Sequence, residues 1–123
     1  MKGLEYLRSM KTKDWNGALE CVEAETVGEM GDLLRQMAHL DRLRIVDLLN
    51  EAGELPVCQI TDYLGIAQAS TSKHLVQMRR AGVLQAERRG KAVWYSVADR
   101  RCISLLRCIC QCCETKKECS SGR

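Results

Sequence analysis

Apolar residues recur along most of the chain at the three- and four-residue spacing of a helix. From residue 18 to residue 40 this spacing predicts a long amphipathic helix. A second helix is predicted over residues 42–51, with Asp41 as its N-cap, and a short third helix over residues 57–64. These three segments indicate a predominantly helical domain.

A glycine turn and a change of period follow the third helix. Gly65 separates it from a further helix that is predicted to be capped by Ser70, to end near residue 81 and to bury Leu75, Val76 and Met78. Two short helices joined in this way form a helix-turn-helix pattern. The next apolar runs are β-prone and flank a cationic connection, so they predict a hairpin; they cover residues 83–87 and 92–97.

The last predicted helix begins after Asp99, which we expect to cap it. One face carries Cys102, Leu105, Leu106, Ile109 and Cys113, and the sequence looks irregular from Glu114 onwards. We therefore divide the 123 residues into three parts: an N-terminal arm (1–17), one winged-helix domain (18–113), and a flexible cysteine-containing tail (114–123). The predicted fold class is mainly α with a small β-hairpin, in the order of a winged helix-turn-helix.

Charge is distributed unevenly along the chain. Residues 16–66 contain three basic and ten acidic side chains, whereas residues 69–101 contain eight basic and two acidic ones. A basic segment on an acidic body indicates an oriented surface for a polyanion, although an ordinary solvated surface remains the alternative. No apolar stretch resembles a signal peptide or a membrane span, so we expect a cytoplasmic protein without a membrane partner.

Four segments together resemble the ArsR/SmtB family of metal-responsive repressors. They are residues 40–45 (LDRLRI), 64–75 (LGIAQASTSKHL), 80–84 (RAGVL) and 89–95 (RGKAVWY). The resemblance covers roughly residues 28–112 and implies a homodimer whose interface is formed by the first and last helices. It also implies that double-stranded operator DNA is the partner.

In a protein of this kind the recognition helix enters the major groove and the wing contacts the backbone. Short hydrogen-bonding side chains are suited to base edges, and cationic ones to phosphates. The candidate DNA-binding residues are Gln68, Ser70, Thr71, Ser72, Lys73, His74, Arg79, Arg80, Arg88, Arg89 and Lys91.

The eight cysteines are the candidate sensor, since six of them lie within residues 102–119. In the cytosol such clusters more often bind metals than form disulfides. The resemblance suggests three places for a ligand. A zinc-type site on the last helix is absent because it needs histidines there. A Cys-Val-Cys site is represented only by Cys58, which we expect to be a small core residue, or else a ligand together with Cys21.

The third place is the pattern Cys112-Cys113-x5-Cys119, which resembles the C-terminal arsenite site of one branch of the family. Arsenite and antimonite are soft and prefer three thiolates. We expect Cys112 and Cys113 to converge where the helix frays, and a short loop to bring in Cys119. As(III) or Sb(III) is therefore the expected inducer, without an organic cofactor.

Other roles for the thiols stay open. Cys108 and Cys110 offer alternative pairs with Cys112 and Cys113, so cadmium, lead, zinc or mercury could be the signal. A redox or sulfur-species switch is a further alternative. Cys102 is expected in the core. No nucleophile–base pair or phosphate-binding glycine loop is present, so we do not expect an enzyme.

Overall fold

The computed structural model describes the backbone of residues 22–121 and the side chains of residues 22–114. Contacts divide the chain into two units, Met1–Gly31 and Asp32–Arg123, and the second contains every candidate site residue whose side chain is described. The described elements are α1 (Ala24–Met37), α2 (Leu40–Ala52), β1 (Glu54–Pro56), α3 (Val57–Leu64), α4 (Gln68–Arg80), β2 (Leu84–Arg89), β3 (Ala92–Val97) and α5 (Arg101–Ser121). The predicted fold class, mainly α with a hairpin in winged helix-turn-helix order, is confirmed. The predicted arm (1–17) lies outside the described residues.

The turn between α3 and α4 depends on one glycine. Gly65 has φ 68°, in the left-handed region, and its N–H donates to the carbonyl of Thr61. This conformation is easy for glycine and ends α3 sharply. Helix α4 then begins three residues earlier than predicted, after an extended Ala67, so Ser70 lies inside the first turn and is not the cap.

The start of α2 also differs from the prediction by two residues. His39, not Asp41, is the N-cap: its Nδ1 accepts a hydrogen bond of 3.1 Å from the backbone N–H of Asp41. Histidine is an infrequent cap compared with Asp or Ser, which is why the sequence favoured Asp41. As a result both side chains lie at the first turn of α2.

A three-stranded antiparallel sheet in the order β1-β3-β2 forms the wing. Strand β1 pairs with β3 and was missed because it has only three residues and ends in Pro56. Strand β2 pairs with β3 from Leu84 opposite Val97 to Arg89 opposite Ala92. The predicted cationic connection is therefore shorter than expected, with its tip at Gly90, whose φ is 63°.

The core lies where α2, α3, α4 and the sheet meet. Its most buried members are Ile45, Val46, Leu49, Ile60, Leu75, Met78, Val83 and Cys102. The expected burial of Leu75 and Met78 and the core position of Cys102 are confirmed. Two expectations are wrong: Val76 is 38% exposed, and Cys58 is exposed rather than a core residue.

Helix α5 is longer than the sequence suggested. It begins after Asp99, whose Oδ1 accepts from the N–H of Arg101 at 3.0 Å as expected of a cap, and it continues to Ser121. The irregular structure expected from Glu114 is not found, since the glutamate and lysines that follow are good helix formers. In the described part of the chain no helix is both long and apolar enough to cross a membrane.

Candidate DNA-binding face and thiol sites

The outer surface of α4 carries most of the predicted DNA-reading side chains. Gln68, Ser70 and Lys73 are exposed near its N-terminal end, and Ser72 is half-buried beside them. Arg79 and Arg80 are exposed in the last turn, where cations also interact favourably with the helix dipole. The N-terminal half of α4 therefore offers hydrogen-bonding groups, and its C-terminal half offers positive charge.

Thr71 points the other way and corrects a prediction. Its side chain is fully buried, and Oγ1 donates to the carbonyl of Ala67 at 3.4 Å. Thr71 shares a helix face with the buried Leu75 and Met78, because residues four and seven positions apart lie on the same side of a helix. That spacing was visible in the sequence. The hydroxyl is therefore unavailable to DNA.

His74 is also directed inward, towards α2. Its side chain is 15% exposed, and Nδ1 accepts a 3.2 Å hydrogen bond from Nε of Arg42. The same guanidinium donates to Oε1 of Gln36 and to Oε1 of Gln77. Arg42 thus connects the end of α1 and the start of α2 to the middle of the recognition helix. Sequence reasoning missed this network because its members lie up to 35 residues apart.

A compact polar cluster surrounds the His74 ring. The ring of His39 lies 4.5 Å away, centroid to centroid, and Oδ2 of Asp41 lies 3.9 Å from Nε2 of His74. Burial lowers the pKa of His74, and the neighbouring His39, Arg42 and Lys73 lower it further, whereas Asp41 acts in the opposite direction. The neutral imidazole is therefore favoured, as its acceptance of a hydrogen bond from Arg42 requires.

The three predicted cations of the wing are not equivalent. Arg88 and Lys91 are exposed at the tip. Arg89 instead forms two hydrogen bonds to the carboxylate of Glu54, at 2.6 and 2.7 Å, and one of 2.9 Å to Glu87. Hydrogen bonding from Arg89 lowers the pKa of Glu54. Arg89 therefore links β2 to β1 within the wing although its side chain is 40% exposed, whereas Arg88 and Lys91 make no ion pair that the structure describes.

A cleft of about 360 Å³ separates the start of α4 from the wing. Its walls include Gln68 and Ser72 of α4 and Lys91 of the wing, with Cys58 of α3 at one side. The structure therefore brings together three of the predicted DNA-binding residues that the sequence had placed in separate elements. These residues of the recognition helix and of the wing line the same cleft.

The six cysteines whose side chains are described form no disulfide. Cys102 is buried, and burial raises the pKa of its thiol to about 11. Cys58, Cys108, Cys110, Cys112 and Cys113 are exposed. The side chains of Cys21 and Cys119 lie outside the described residues, so their predicted roles as ligands stay predictions.

The regular backbone of α5 does not bring the three predicted thiols together. Adjacent residues on a helix point about 100° apart, so Cys112 and Cys113 diverge. Cys119 follows Cys112 by seven residues, which at 1.5 Å per residue is about 10 Å along the helix axis. In contrast, Cys108 and Cys112 are four residues apart and lie on the same face, where side chains are neighbours.

An apolar groove runs between the end of α1, α2 and α5. It has a volume of about 200 Å³ and is lined by Leu34, Met37, Ala38, Leu43, Leu105, Leu106 and Ile109. Leu34 is 51% exposed and Ile109 50% exposed. Large apolar side chains that are half-exposed side by side indicate an interaction surface.

Sequence comparison with known proteins adds a family to this geometry. Residues 40–86, from the start of α2 into β2, match the profile of bacterial regulatory proteins of the arsR family. The transcriptional repressor PagR of Bacillus anthracis is 37% identical over 76 residues, which are 62% of this chain and 76% of PagR. The chain belongs to the ArsR family. It is thus a member of a family of transcriptional regulators and not of an enzyme family.

Other members are similar over parts of the chain. The arsenic resistance transcriptional regulator ArsR1 of Pseudomonas putida is 43% identical over 54 residues, 44% of this chain and 42% of ArsR1, so the match spans less than half of that relative. The crystal structure of PagR superimposes with a TM-score of 0.65 at 32% identity, covering 71% of this chain and 99% of PagR. The antimony-specific repressor AntR superimposes with a TM-score of 0.71 at 23% identity, covering 89% and 97%, and shows the same fold.

Proposed function

We propose that this ArsR-family protein is an arsenite- or antimonite-responsive repressor. It binds double-stranded operator DNA as a homodimer and dissociates when the metalloid is bound by the thiolates of Cys112, Cys113 and Cys119. The exposed polar and cationic side chains of α4 and of the wing, which meet at one cleft, carry the first half of the proposal. The exposed thiols of α5 and the similarity to a relative named as an arsenic resistance regulator support the second half.

DNA binding is assigned to the side chains that reach this surface. Gln68, Ser70 and Ser72 read base edges, because short polar side chains at the start of a recognition helix face the major groove. The exposed cations contact phosphates and so fix the orientation of the recognition helix in the major groove. They are Lys73, Arg79, Arg80, Arg88 and Lys91. Thr71 and His74 support this face from inside the fold, and Arg89 stabilises the wing through Glu54 and Glu87.

The apolar groove of α1, α2 and α5 is assigned to the dimer. Exposed Leu34 and Ile109 are unfavourable in water, and a second copy of the chain covers both. The surface of a monomer would otherwise carry this apolar patch. The groove contains Leu105 and Leu106 of α5, so a change in α5 alters the contact between the two copies.

The donor set of α5 suits As(III) chemically, because three thiolates satisfy its pyramidal coordination. Its helical backbone keeps Cys119 about 10 Å along the axis from Cys112. Metalloid binding within one chain therefore requires α5 to unwind from Cys112 onwards, so that Cys112 and Cys113 converge and Cys119 approaches them. This unwinding supplies a means of changing the dimer contact, since Ile109 lies one turn earlier in the same helix.

A soft divalent cation is the second candidate signal. Cys108 and Cys112 are exposed and lie one helical turn apart, so cadmium, mercury, lead or zinc could be bound by this pair without unwinding. The corresponding pairs of two copies would supply four sulfurs. This candidate predicts that Cys108 is essential for induction, whereas the arsenite proposal does not.

The test is release of an operator duplex selected from random sequence by the protein itself. Fluorescence anisotropy is followed during titration with arsenite, cadmium, zinc or peroxide, each starting from reduced protein. We expect arsenite to release the operator duplex from the wild type but not from the Cys112→Ser/Cys113→Ser double variant. The Cys108→Ser and Cys58→Ser variants should release the duplex as the wild type does. Arsenite release that survives the double substitution contradicts the assigned site, and loss only in Cys108→Ser favours the divalent cation.

A further inference from the structure

The polar cluster between α2 and α4 has the composition of a metal site that does not involve the cysteines. His39, Asp41 and His74 each offer one ligand atom, and these atoms all lie within 4.8 Å of one another. We propose that His39, Asp41 and His74 bind one divalent cation of the zinc class. This proposal does not depend on the metalloid site, so the failure of one proposal leaves the other unaffected.

The donor types favour a borderline cation over a soft one. Two imidazoles and a carboxylate form a set that zinc accepts with a fourth position left to water, whereas arsenite prefers thiolates. The cluster therefore disfavours arsenite, whereas zinc is accepted both by the cluster and by the cysteines of α5. A chain that contains both can respond to two chemical signals.

The fold holds the three ligands on regular elements. His39 caps α2, Asp41 lies in its first turn, and His74 lies in the middle of α4. An ion equidistant from three atoms spaced at 4.8 Å would lie about 2.8 Å from each, compared with about 2.0–2.2 Å in zinc sites. Movements of less than about 1 Å by each side chain close that difference, so rotamer adjustment is sufficient.

Cation binding at the cluster would break the hydrogen bond between Arg42 and His74. Nδ1 of His74 accepts from Arg42, so the neutral ring carries its proton on Nε2, the atom that faces Asp41. A cation bound at Nε2 moves that proton to Nδ1, and a protonated Nδ1 cannot accept from Arg42. Arg42 keeps its acceptors Gln36 and Gln77. Cation binding thus replaces the Arg42–His74 hydrogen bond with metal ligation between α2 and α4.

Two arginines beside the cluster oppose cation binding through their positive charge. Nη1 of Arg44 lies 3.8 Å from Oδ1 of Asp41, and the Arg42 guanidinium adds a second positive charge. The Asp41 carboxylate faces Arg44 with Oδ1 and His74 with Oδ2, so Oδ2 is the oxygen that would bind the cation. Removal of the Asp41 charge leaves two cations beside the site, so this residue is the most sensitive point at which to test the proposal.

The chain has only two histidines, so nitrogen NMR of the imidazole rings reports on this cluster alone. Tag-free, full-length reduced protein is titrated with ZnCl₂ past saturation of its thiols. We expect both rings to shift together, with Nδ1 of His74 changing from an unprotonated to a protonated nitrogen. Asp41→Asn, which preserves size, is expected to weaken this transition by at least about tenfold.

Asp47→Asn is the matched control, because Asp47 is an exposed acid on the same helix. Its zinc titration should match the wild type, and circular dichroism verifies that both variants are folded. Zinc bound only by cysteines, with both histidine rings unchanged, overturns the proposal. A change in the imidazole rings at the same zinc concentration in Asp41→Asn and in the wild type also overturns it. Arsenite release of operator DNA by Asp41→Asn should be normal, which separates this test from that of the metalloid site.

Discussion

Replacing Arg42 by methionine removes the side chain that ties the recognition helix to α2. Methionine keeps much of the aliphatic stem, so the change isolates the hydrogen bonds to Gln36, His74 and Gln77. A part-buried hydrogen bond to a charged group contributes about 1.5–3 kcal/mol when its partner is left unsatisfied. Because water reaches some of these acceptors, we expect a total loss of about 2–4 kcal/mol in the free energy of unfolding.

Urea denaturation followed by circular dichroism measures this loss, at one protein concentration because association affects the midpoint. Arg35→Met is the control: Arg35 is 77% exposed, and its 3.2 Å contact with Asp32 is a surface ion pair expected to contribute below about 1 kcal/mol. Operator affinity should fall for Arg42→Met under conditions where it is fully folded. Equal destabilisation by the two substitutions would refute the structural role assigned to Arg42.

Three further outcomes follow from burial and helix geometry. Iodoacetamide should modify Cys58 rapidly and Cys102 only on unfolding, because burial raises the pKa of Cys102 to about 11; equal rates by mass spectrometry would contradict this burial. Ile109→Glu should shift the sedimentation coefficient towards a monomer, whereas exposed Ser104→Glu should not; a dimer in both variants rules out the groove as the interface. Arsenite should reduce helical ellipticity at 222 nm in the wild type but not in Cys112→Ser, and an unchanged wild-type spectrum contradicts the unwinding of α5.

Elements with strong periodicity were predictable from the sequence. The alternation of glycine turns with helical stripes located α2, α3 and α4 to within two or three residues, and the β-prone runs gave the hairpin. Strand β1 was not predictable, because three residues ending in Pro56 carry no periodic signal and depend on pairing with β3. Similarly, the cap at His39 was not predictable, because histidine is an infrequent N-cap compared with Asp or Ser.

The candidate site was predictable by residue type but not by orientation. Charge and position identified Lys73, Arg88 and Lys91, which are exposed. Thr71 and His74 have suitable chemistry for DNA yet face the core and α2, because the helix face is set by Leu75 and Met78. Arg42 was not singled out at all, since its partners are distant in sequence.

The length of α5 changes how the three thiols could come together. A frayed end at Glu114 would have allowed the three thiols to converge directly, whereas a helix to Ser121 requires unwinding. Local propensity favours this helix, since the segment after Cys113 contains glutamate and lysine and no glycine before residue 122. The thiol chemistry predicted from spacing stays a prediction, but the unwinding that it requires and its proximity to the apolar groove are visible only in three dimensions.

The coordination of arsenic in the loaded protein distinguishes the proposed three-thiol site from its alternatives. X-ray absorption at the arsenic edge counts the atoms bound to the metalloid in wild type and in Cys119→Ser, with Cys110→Ser as the control. We expect three sulfur neighbours in the wild type and the control, and two sulfurs with one oxygen in Cys119→Ser. Three sulfurs in Cys119→Ser, or only two in the wild type, would contradict a site formed by Cys112, Cys113 and Cys119.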